Sequence, residues 1–361
     1  MASDNICFSS RTAVATENGE GDLSHSSSIL QNHWDAILAL ATDIPPLQNS
    51  EEQHLVLLRR RILVLMELAQ SDGLVGPWST VPTLVIFSMD AMQDISGKAL
   101  SLLKSLSKKY MEYVDAGRLA KGVKDSHFQF EKSRNADTKF AQAQLRKLYL
   151  GIICQTRVRR NEFLRLITRS FKSELVSSSQ SKTTPSRTPG EDGMPQKTYS
   201  STIWVWLAHL ICGLPFRKTE EVCLVINEID SMLAFRMSSI VAELHELIES
   251  DVPEEHPTVK ECGARAKILC LLSRMKAYLL KAYSISAERQ AVFASSLKRR
   301  GPEDSTPVSL DAKVAKQLTL ADEMLSEISM QDKTSISILR ELYNELDMAS
   351  TDQEEAFDPG H

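Results

Sequence analysis

Residues 77–114 read PWSTVPTLVIFSMDAMQDISGKALSLLKSLSKKYMEYV, and this stretch decides the fold class. Its opening, with Pro77, Val81, Pro82, Leu84, Val85 and Phe87, is apolar and begins with prolines. The first turn of a helix tolerates proline because its N–H groups have no partner within the helix. Asp90 and Asp94 then bracket a turn, with Asp94 at the expected N-cap of a second helix. In that helix Ala99, Leu102, Leu103, Leu106, Tyr110, Tyr113 and Val114 recur at three- and four-residue steps, while Lys98, Lys104, Lys108 and Lys109 fall off the stripe. Two antiparallel helices joined by a short turn cannot bury their apolar faces alone. They need a neighbour stacked on each side, which is how an α-solenoid is built.

The same alternation extends in both directions. Residues 1–28 are rich in Ser, Thr, Glu and Gly and are expected to form a disordered leader. Helices are expected over Ile29–Ala41, around Trp34 and Leu38, and over Glu51–Gln70, with Leu55, Leu58, Ile62, Leu65, Met66 and Ala69 inward. Arg59, Arg60 and Arg61 flank and oppose that second stripe, as a solvated face or as a partner or phosphate contact. Further helices are expected over 116–134, 138–156 and 159–175, completing a helical region at 29–173. Residues 174–201, with Ser177–Ser179, Thr184-Pro185 and Thr188-Pro189, lose periodicity and read as a flexible insertion. A second helical region at 202–348 starts with the nearly all-apolar Thr202–Leu214. It continues with Glu220–Phe235 capped by Thr219, a short helix to about Ser250, Val259–Tyr283, and two helices near 310–330 and 334–348. An acidic tail follows at 349–361. The reading is all-α throughout.

The 42 Lys and Arg against 47 Asp and Glu give a net charge of −5, so any nucleic-acid role has to come from local clusters. The six cysteines (Cys7, Cys154, Cys212, Cys223, Cys262, Cys270) form no C-x-x-C pair and read as buried, reduced thiols. No secretory h-region opens the chain. The longest apolar run, around Ile203–Phe216, is too short to span a bilayer, so no membrane contact is expected and a cytosolic or nuclear protein is.

No catalytic device stands out. The phosphate loop, G-x-G-x-x-G and G-x-S-x-G patterns are absent. His245-Glu246-Leu247-Ile248-Glu249 lacks the second histidine that a zinc helix needs, and His209 reads as a hydrogen-bonded core residue. A non-enzyme is expected, with no catalytic residues, metal or cofactor.

The charge feature that stands out is Lys139–Lys172. It holds Lys139, Arg146, Lys147, Arg157, Arg159, Arg160, Arg165, Arg169 and Lys172 against the single acid Glu162. On one helix Arg165, Arg169 and Lys172 recur at four- and three-residue steps, opposite the Phe163/Ile167/Phe171 stripe, as a row of cations with neighbours ~5–6 Å apart. Such a row can follow a phosphate backbone, hold an acidic protein segment, or serve solubility alone. Lys298-Arg299-Arg300 is a minimal basic cluster of the nuclear-import kind.

Two resemblances sharpen this. Val81-Pro82-x-Leu84, Asp90, and Ile95, Ala99 and Leu103 resemble a HEAT repeat, with Ser96 where many such repeats carry an arginine that ladders with an aspartate. Helix pairs recur on the ~40-residue scale of HEAT arrays. The fold class is therefore expected to be an all-α, HEAT-type α-solenoid of stacked antiparallel helix pairs. The order of several motifs is similar to the C-terminal HEAT region of the Nipped-B-like (adherin) cohesin-loading factors, the sister chromatid cohesion proteins. These motifs are Val81–Val85 through Lys108-Lys109-Tyr110, Arg159-Arg160-Asn161-Glu162-Phe163-Leu164 with Phe171, and Trp206–Leu210 with Pro215-Phe216. Glu220-Glu221, Ile226-Asn227-Glu228-Ile229-Asp230 and the Leu/Lys-rich Ala266–Tyr283 follow in the same order.

That resemblance implies a non-enzymatic hook that loads cohesin onto chromatin, contacts its kleisin and ATPase-head subunits, touches double-stranded DNA without reading sequence, and stimulates cohesin's ATPase. It implies a nuclear, chromatin-bound location. Lys108, Lys109, Arg159 and Arg160 match the family pattern directly. Relatives bind a smaller TPR-type partner through a long N-terminal region that these 361 residues do not include, so the resemblance does not carry that partner over. From the residues alone, the alternative is a generic HEAT adaptor in transport or complex assembly with no DNA role.

Overall fold

The computed structural model describes residues 20–42, 51–132, 138–176, 202–250, 253, 256–299 and 336–355. The expected insertion beyond Val176, the helix near 310–330, the end of the acidic tail and Cys7 lie outside the described residues. In chain order the helices are α1 (Glu20–Thr42), α2 (Glu51–Ser71), α3 (Pro77–Ser88), α4 (Gln93–Lys109), α5 (Ala116–Asp125), α6 (His127–Lys132) and α7 (Thr138–Gly151). A 3₁₀ turn at Ile153–Gln155 leads into α8 (Arg157–Arg169) and α9 (Lys172–Val176). Then come α10 (Thr202–Cys212), α11 (Thr219–Glu249), α12 (Pro257–Ala282), α13 (Ala287–Arg299) and α14 (Ile336–Glu355). No β-strand occurs among the described residues.

The helices stack in two layers. α2, α4, α7, α10 and α12 touch in succession along one layer, and α1, α3, α5, α8 and α11 along the other. α1 with α2, α3 with α4, and α11 with α12 close the layers together, and α14 covers α11 and α12. This is an all-α solenoid, and one hydrophobic core runs continuously from Trp34 to Leu346. α3 shows why its sequence is apolar nearly all round. It is walled by α1, α4 and α5, and Val81, Leu84, Val85 and Phe87 are all fully buried.

Local chemistry sets the helix ends. Pro77 opens α3 after the extended Gly76. Asp115 caps α5 by accepting from Arg118 N at 2.8 Å, and Thr156 caps α8 by accepting from Arg159 N at 3.2 Å. Gly122 of α5 sits against α3. A Cβ there would lie 2.7 Å from the Pro82 carbonyl oxygen and 2.5 Å from Val85 Cβ, so only glycine permits this crossing.

Several expectations are corrected. α1 begins at Glu20, inside the stretch read as a disordered leader. The N-cap of α4 is Met92, not Asp94. Asp90 Oδ1 accepts from Met92 N at 2.8 Å, while Asp94 lies in the first turn and pairs with Arg60. Lys218, not Thr219, is the N-cap of α11, and α11 runs unbroken to Glu249 where a break before a short helix was expected. The 116–134 helix divides at Ser126, where the buried His127 turns onto Trp206 at 5.3 Å between ring centroids. The 159–175 helix divides at Ser170–Phe171, where the fully buried Phe171 packs on Trp204 at 5.4 Å. In both places a tertiary aromatic contact re-aims the chain that helical periodicity would have continued.

Candidate partner and phosphate interface

The basic stretch folds onto α7, α8 and α9, and α11 lies against α8. What α11 presents there is acidic: Glu220, Glu221 and Glu228. They meet the arginines of α8. Arg157 chelates Glu220 (Nη2 to Oε1, 2.6 Å), and Asn161 donates to the same carboxylate at 2.8 Å. Arg160 bridges Glu220 at 3.2 Å and Glu221 at 3.1 Å, with 7% of its side chain exposed against 6% and 2% for the glutamates. Glu221 also accepts from the Tyr149 hydroxyl at 3.1 Å and from Arg217 N at 3.0 Å. Two turns further on, Arg169 grips Glu228 through Nε at 2.7 Å and Nη2 at 2.9 Å, with Arg165 at 3.8 Å. The Arg169–Glu228 fork is bidentate and Arg157 reaches Glu220 through two nitrogens, charge-assisted contacts of the strong kind, while Arg160 makes one contact to each of its two glutamates.

Electrostatics follows the geometry. Burial pushes the Glu220 carboxyl up, but hydrogen bonds from Arg157 and Asn161 and the charges of Arg157 and Arg160 outweigh it, and the group is held below its usual range. The hydrogen bond from Arg169 to Glu228 raises the guanidinium's hold on its proton. Arg159 takes a different path. It is buried and donates to Ser107 Oγ at 3.1 Å, Ile152 O at 3.1 Å and Met111 O at 2.9 Å, tying α8 to the end of α4. Arg146 donates from Nε to Gly213 O at 2.9 Å, tying α7 to the end of α10.

The expected row of cations is therefore redrawn. Arg159 and Arg160 are buried and face protein, not solvent. Arg157, Arg165 and Arg169 fold onto carboxylates of α11. Lys172 does not continue the helix of Arg165 and Arg169, because it starts α9 after the break. The lysines take the opposite course. Lys108, Lys109, Lys139, Lys147 and Lys172 are all exposed. Lys108 and Lys109 end α4, Lys139 opens α7, and Lys147 lies one turn before its end. α4 and α7 are neighbours in the same layer, and Lys104 of α4 reaches across to within 3.1 Å of where a Cβ would stand on Gly151 of α7. Lys104 thus joins the set that the sequence had singled out, with Lys108 one turn beyond it on α4 and Lys147 one turn before Gly151 on α7, so these three exposed lysines lie on the adjoining sides of two neighbouring helices.

The sequence had not linked α8 to α11. The signal lay in three glutamates, at positions 220, 221 and 228, around the apolar run Val222–Ile226, where burial asks for partners. The ladder missing at Ser96 is supplied elsewhere: Arg59 pairs with the buried Asp90 at 2.7 Å, and Arg60 with Asp94 at 2.6 Å. Ser96 itself is buried and accepts from Gln144 Nε2 at 3.4 Å. His209 is buried in α10, and His245 lies 3.5 Å from Glu249. Cys212, Cys223, Cys262 and Cys270 are buried free thiols and Cys154 a half-buried one, and burial raises the thiol of Cys154 to about 11 and that of Cys262 to about 12. Among the described residues no helix is long and apolar enough to cross a membrane.

No curated protein matches the chain. The family model for the sister chromatid cohesion C-terminus, that of the Nipped-B-like proteins, matches residues 26–232. This covers α1 through the first half of α11, and so includes the lysine face and all the α8–α11 ion pairs. It starts upstream of Val81, where the motif resemblance began, and ends before Ala266–Tyr283. The chain belongs to the sister chromatid cohesion C-terminus family, and its role is in sister chromatid cohesion, a nuclear process served by the cohesin system.

Proposed function

We propose that this chain acts as the cohesin-contacting and DNA-contacting portion of a cohesin-loading factor. It promotes loading onto chromatin and stimulates cohesin's ATPase without an active site of its own. The observation that carries the reading is the coincidence of the family match with the exposed lysines of α4 and α7, namely Lys104, Lys108, Lys109, Lys139 and Lys147. Lysines on a solvated face suit sequence-independent phosphate contact, since each supplies a point charge and displaces a counterion. The paired arginines do a different job, locking α8 to α11 so that the two halves of the solenoid move as one support. A rigid support acts on a partner's ATPase heads through differential affinity for their engaged state.

One observation favours the other reading, a HEAT adaptor without DNA: the arginines that looked most suited to phosphate are mostly consumed by protein carboxylates. The experiment that separates the two is the ATPase rate of purified cohesin with duplex DNA, with and without this chain, and with a Lys104→Glu/Lys108→Glu/Lys147→Glu variant. Stimulation that the variant loses, together with its DNA affinity, supports the loader. Unchanged DNA affinity in the variant, with no stimulation by either form, supports the adaptor.

A further inference from the structure

A cleft of about 310 Å³ lies between the end of α8, α9 and the middle of α11. Residues at three- and four-residue steps along α11, Glu228, Ser231, Met232, Phe235 and Arg236, form one wall, and Arg169, Lys172 and Leu175 form the other. Its floor is apolar, with Leu175 and Met232 buried. Phe235 is 63% exposed, although its own helix belongs to the core. Lys172 Nζ stands 5.8 Å and the Arg236 guanidinium 4.9 Å from its ring centroid. Arg236 Nε is buried and has no hydrogen-bond partner among the described residues. Three cations therefore line the cleft against one carboxylate, Glu228, which Arg169 already holds.

We propose that this cleft docks an acidic segment of a partner protein, with one apolar side chain entering between Phe235 and Met232 and flanking carboxylates meeting Lys172 and Arg236. Each feature asks for that ligand. An exposed aromatic over a buried apolar floor is where an anchor side chain gains the most from leaving water. An unpartnered, desolvated guanidinium nitrogen recovers its hydrogen bond only from an acceptor that comes in from outside. The net positive lining of a chain that is negative overall selects a negative visitor. Duplex DNA has no use for the apolar floor. A single strand would stack a base on the ring, but Lys172 and Arg236 take up the space over the Phe235 face, and nucleotide tracks need successive aromatics. The inference is independent of the lysine face of α4 and α7 and stands whether or not that face contacts DNA.

The test is fluorescence anisotropy of the full chain with three labelled ten-residue peptides: glutamates around one central leucine, the same with central serine, and lysines around the leucine. Expected are saturable binding of the first, at least tenfold weaker binding of the second, and none of the third. Phe235→Ala, Lys172→Glu and Arg236→Glu should each weaken the first peptide tenfold or more while the melting temperature stays near that of the parent chain. Phe235→Leu keeps an apolar wall and should retain most of the affinity. Failure of the parent chain to bind the first peptide, or binding indifferent to all three substitutions, overturns the proposal. Displacement of the peptide by oligothymidine at equal potency, abolished in the same variants, also overturns it, in favour of a single-strand site.

Discussion

Arg160 Nη1 stands 3.1 Å from Glu221 Oε1, with both side chains almost wholly removed from solvent, and this pair joins α8 to α11, its neighbour in the same layer. The same guanidinium reaches Glu220, and the same carboxylate collects the Tyr149 hydroxyl and Arg217 N. Both carboxylate oxygens of Glu221 and all three guanidinium nitrogens of Arg160 have a partner, and such pairing is what lets a buried ion pair be tolerated.

Removing one partner leaves the other charged and dry. Arg160→Met and Glu221→Gln should each destabilise the chain by roughly 3–5 kcal/mol. In a double-mutant cycle the two should couple by at least about 1 kcal/mol. Urea denaturation of the four proteins measures this, and additivity of the two losses would show that the pair does not act as a unit.

Glycine at 122 should be irreplaceable although it lies inside a helix. Alanine normally gains about 1 kcal/mol over glycine there. At this site its Cβ would meet the Pro82 carbonyl oxygen at 2.7 Å, a backbone atom that cannot rotate away. Overpacking of this kind costs about 1–3 kcal/mol, so the sign reverses and Gly122→Ala should lower stability. Gly97, exposed on α4 with nothing within 4 Å of a new Cβ, is the control, and Gly97→Ala should raise the melting temperature.

Acid should loosen the α6–α10 contact first. Burial lowers the His127 pKa from 6.5 to about 4, so the imidazole stays neutral in the fold. A depressed pKa means that the unfolded chain binds the proton the folded chain refuses, and stability falls as pH drops from about 6.5 toward about 4. Glu220, also held below its usual value, adds a further loss at lower pH, when it is protonated and releases Arg157 and Arg160. His127→Phe should flatten the fall in melting temperature between pH 7 and pH 5 while keeping the ring packing on Trp206.

Lysines and arginines should separate in a DNA-binding assay. Lys104→Glu/Lys108→Glu/Lys147→Glu should reduce affinity for random duplex and lower the slope of log affinity against log salt by about 0.9 for each phosphate no longer neutralised. Arg165→Gln/Arg169→Gln should leave that slope nearly unchanged and cost up to about 1 kcal/mol of stability, because these exposed side chains are engaged with Glu228. The reverse pattern would restore the arginine row as the phosphate-binding surface.

What the sequence determined by itself was the periodicity. The stripe from Ala99 to Leu106 and the apolar opening at Pro77–Phe87 specify helices, and helices with one or two apolar faces and no strands specify stacking in layers. The order of short motifs also pointed to the family whose model matches residues 26–232. The fate of each charge was not legible in the same way. Periodicity says that Arg160, Arg165 and Arg169 leave the apolar stripe of their own helix, but not that Glu220, Glu221 and Glu228 stand there, some 60 residues away, to receive them. The helix breaks at Ser126 and Ser170 are of the same kind, since Trp206 and Trp204 re-aim the chain from across the core. Local sequence sets backbone preference and which face is apolar. Whether an arginine is a surface cation or a buried strut depends on which surface the solenoid stacks against it, and the tertiary structure alone decides that.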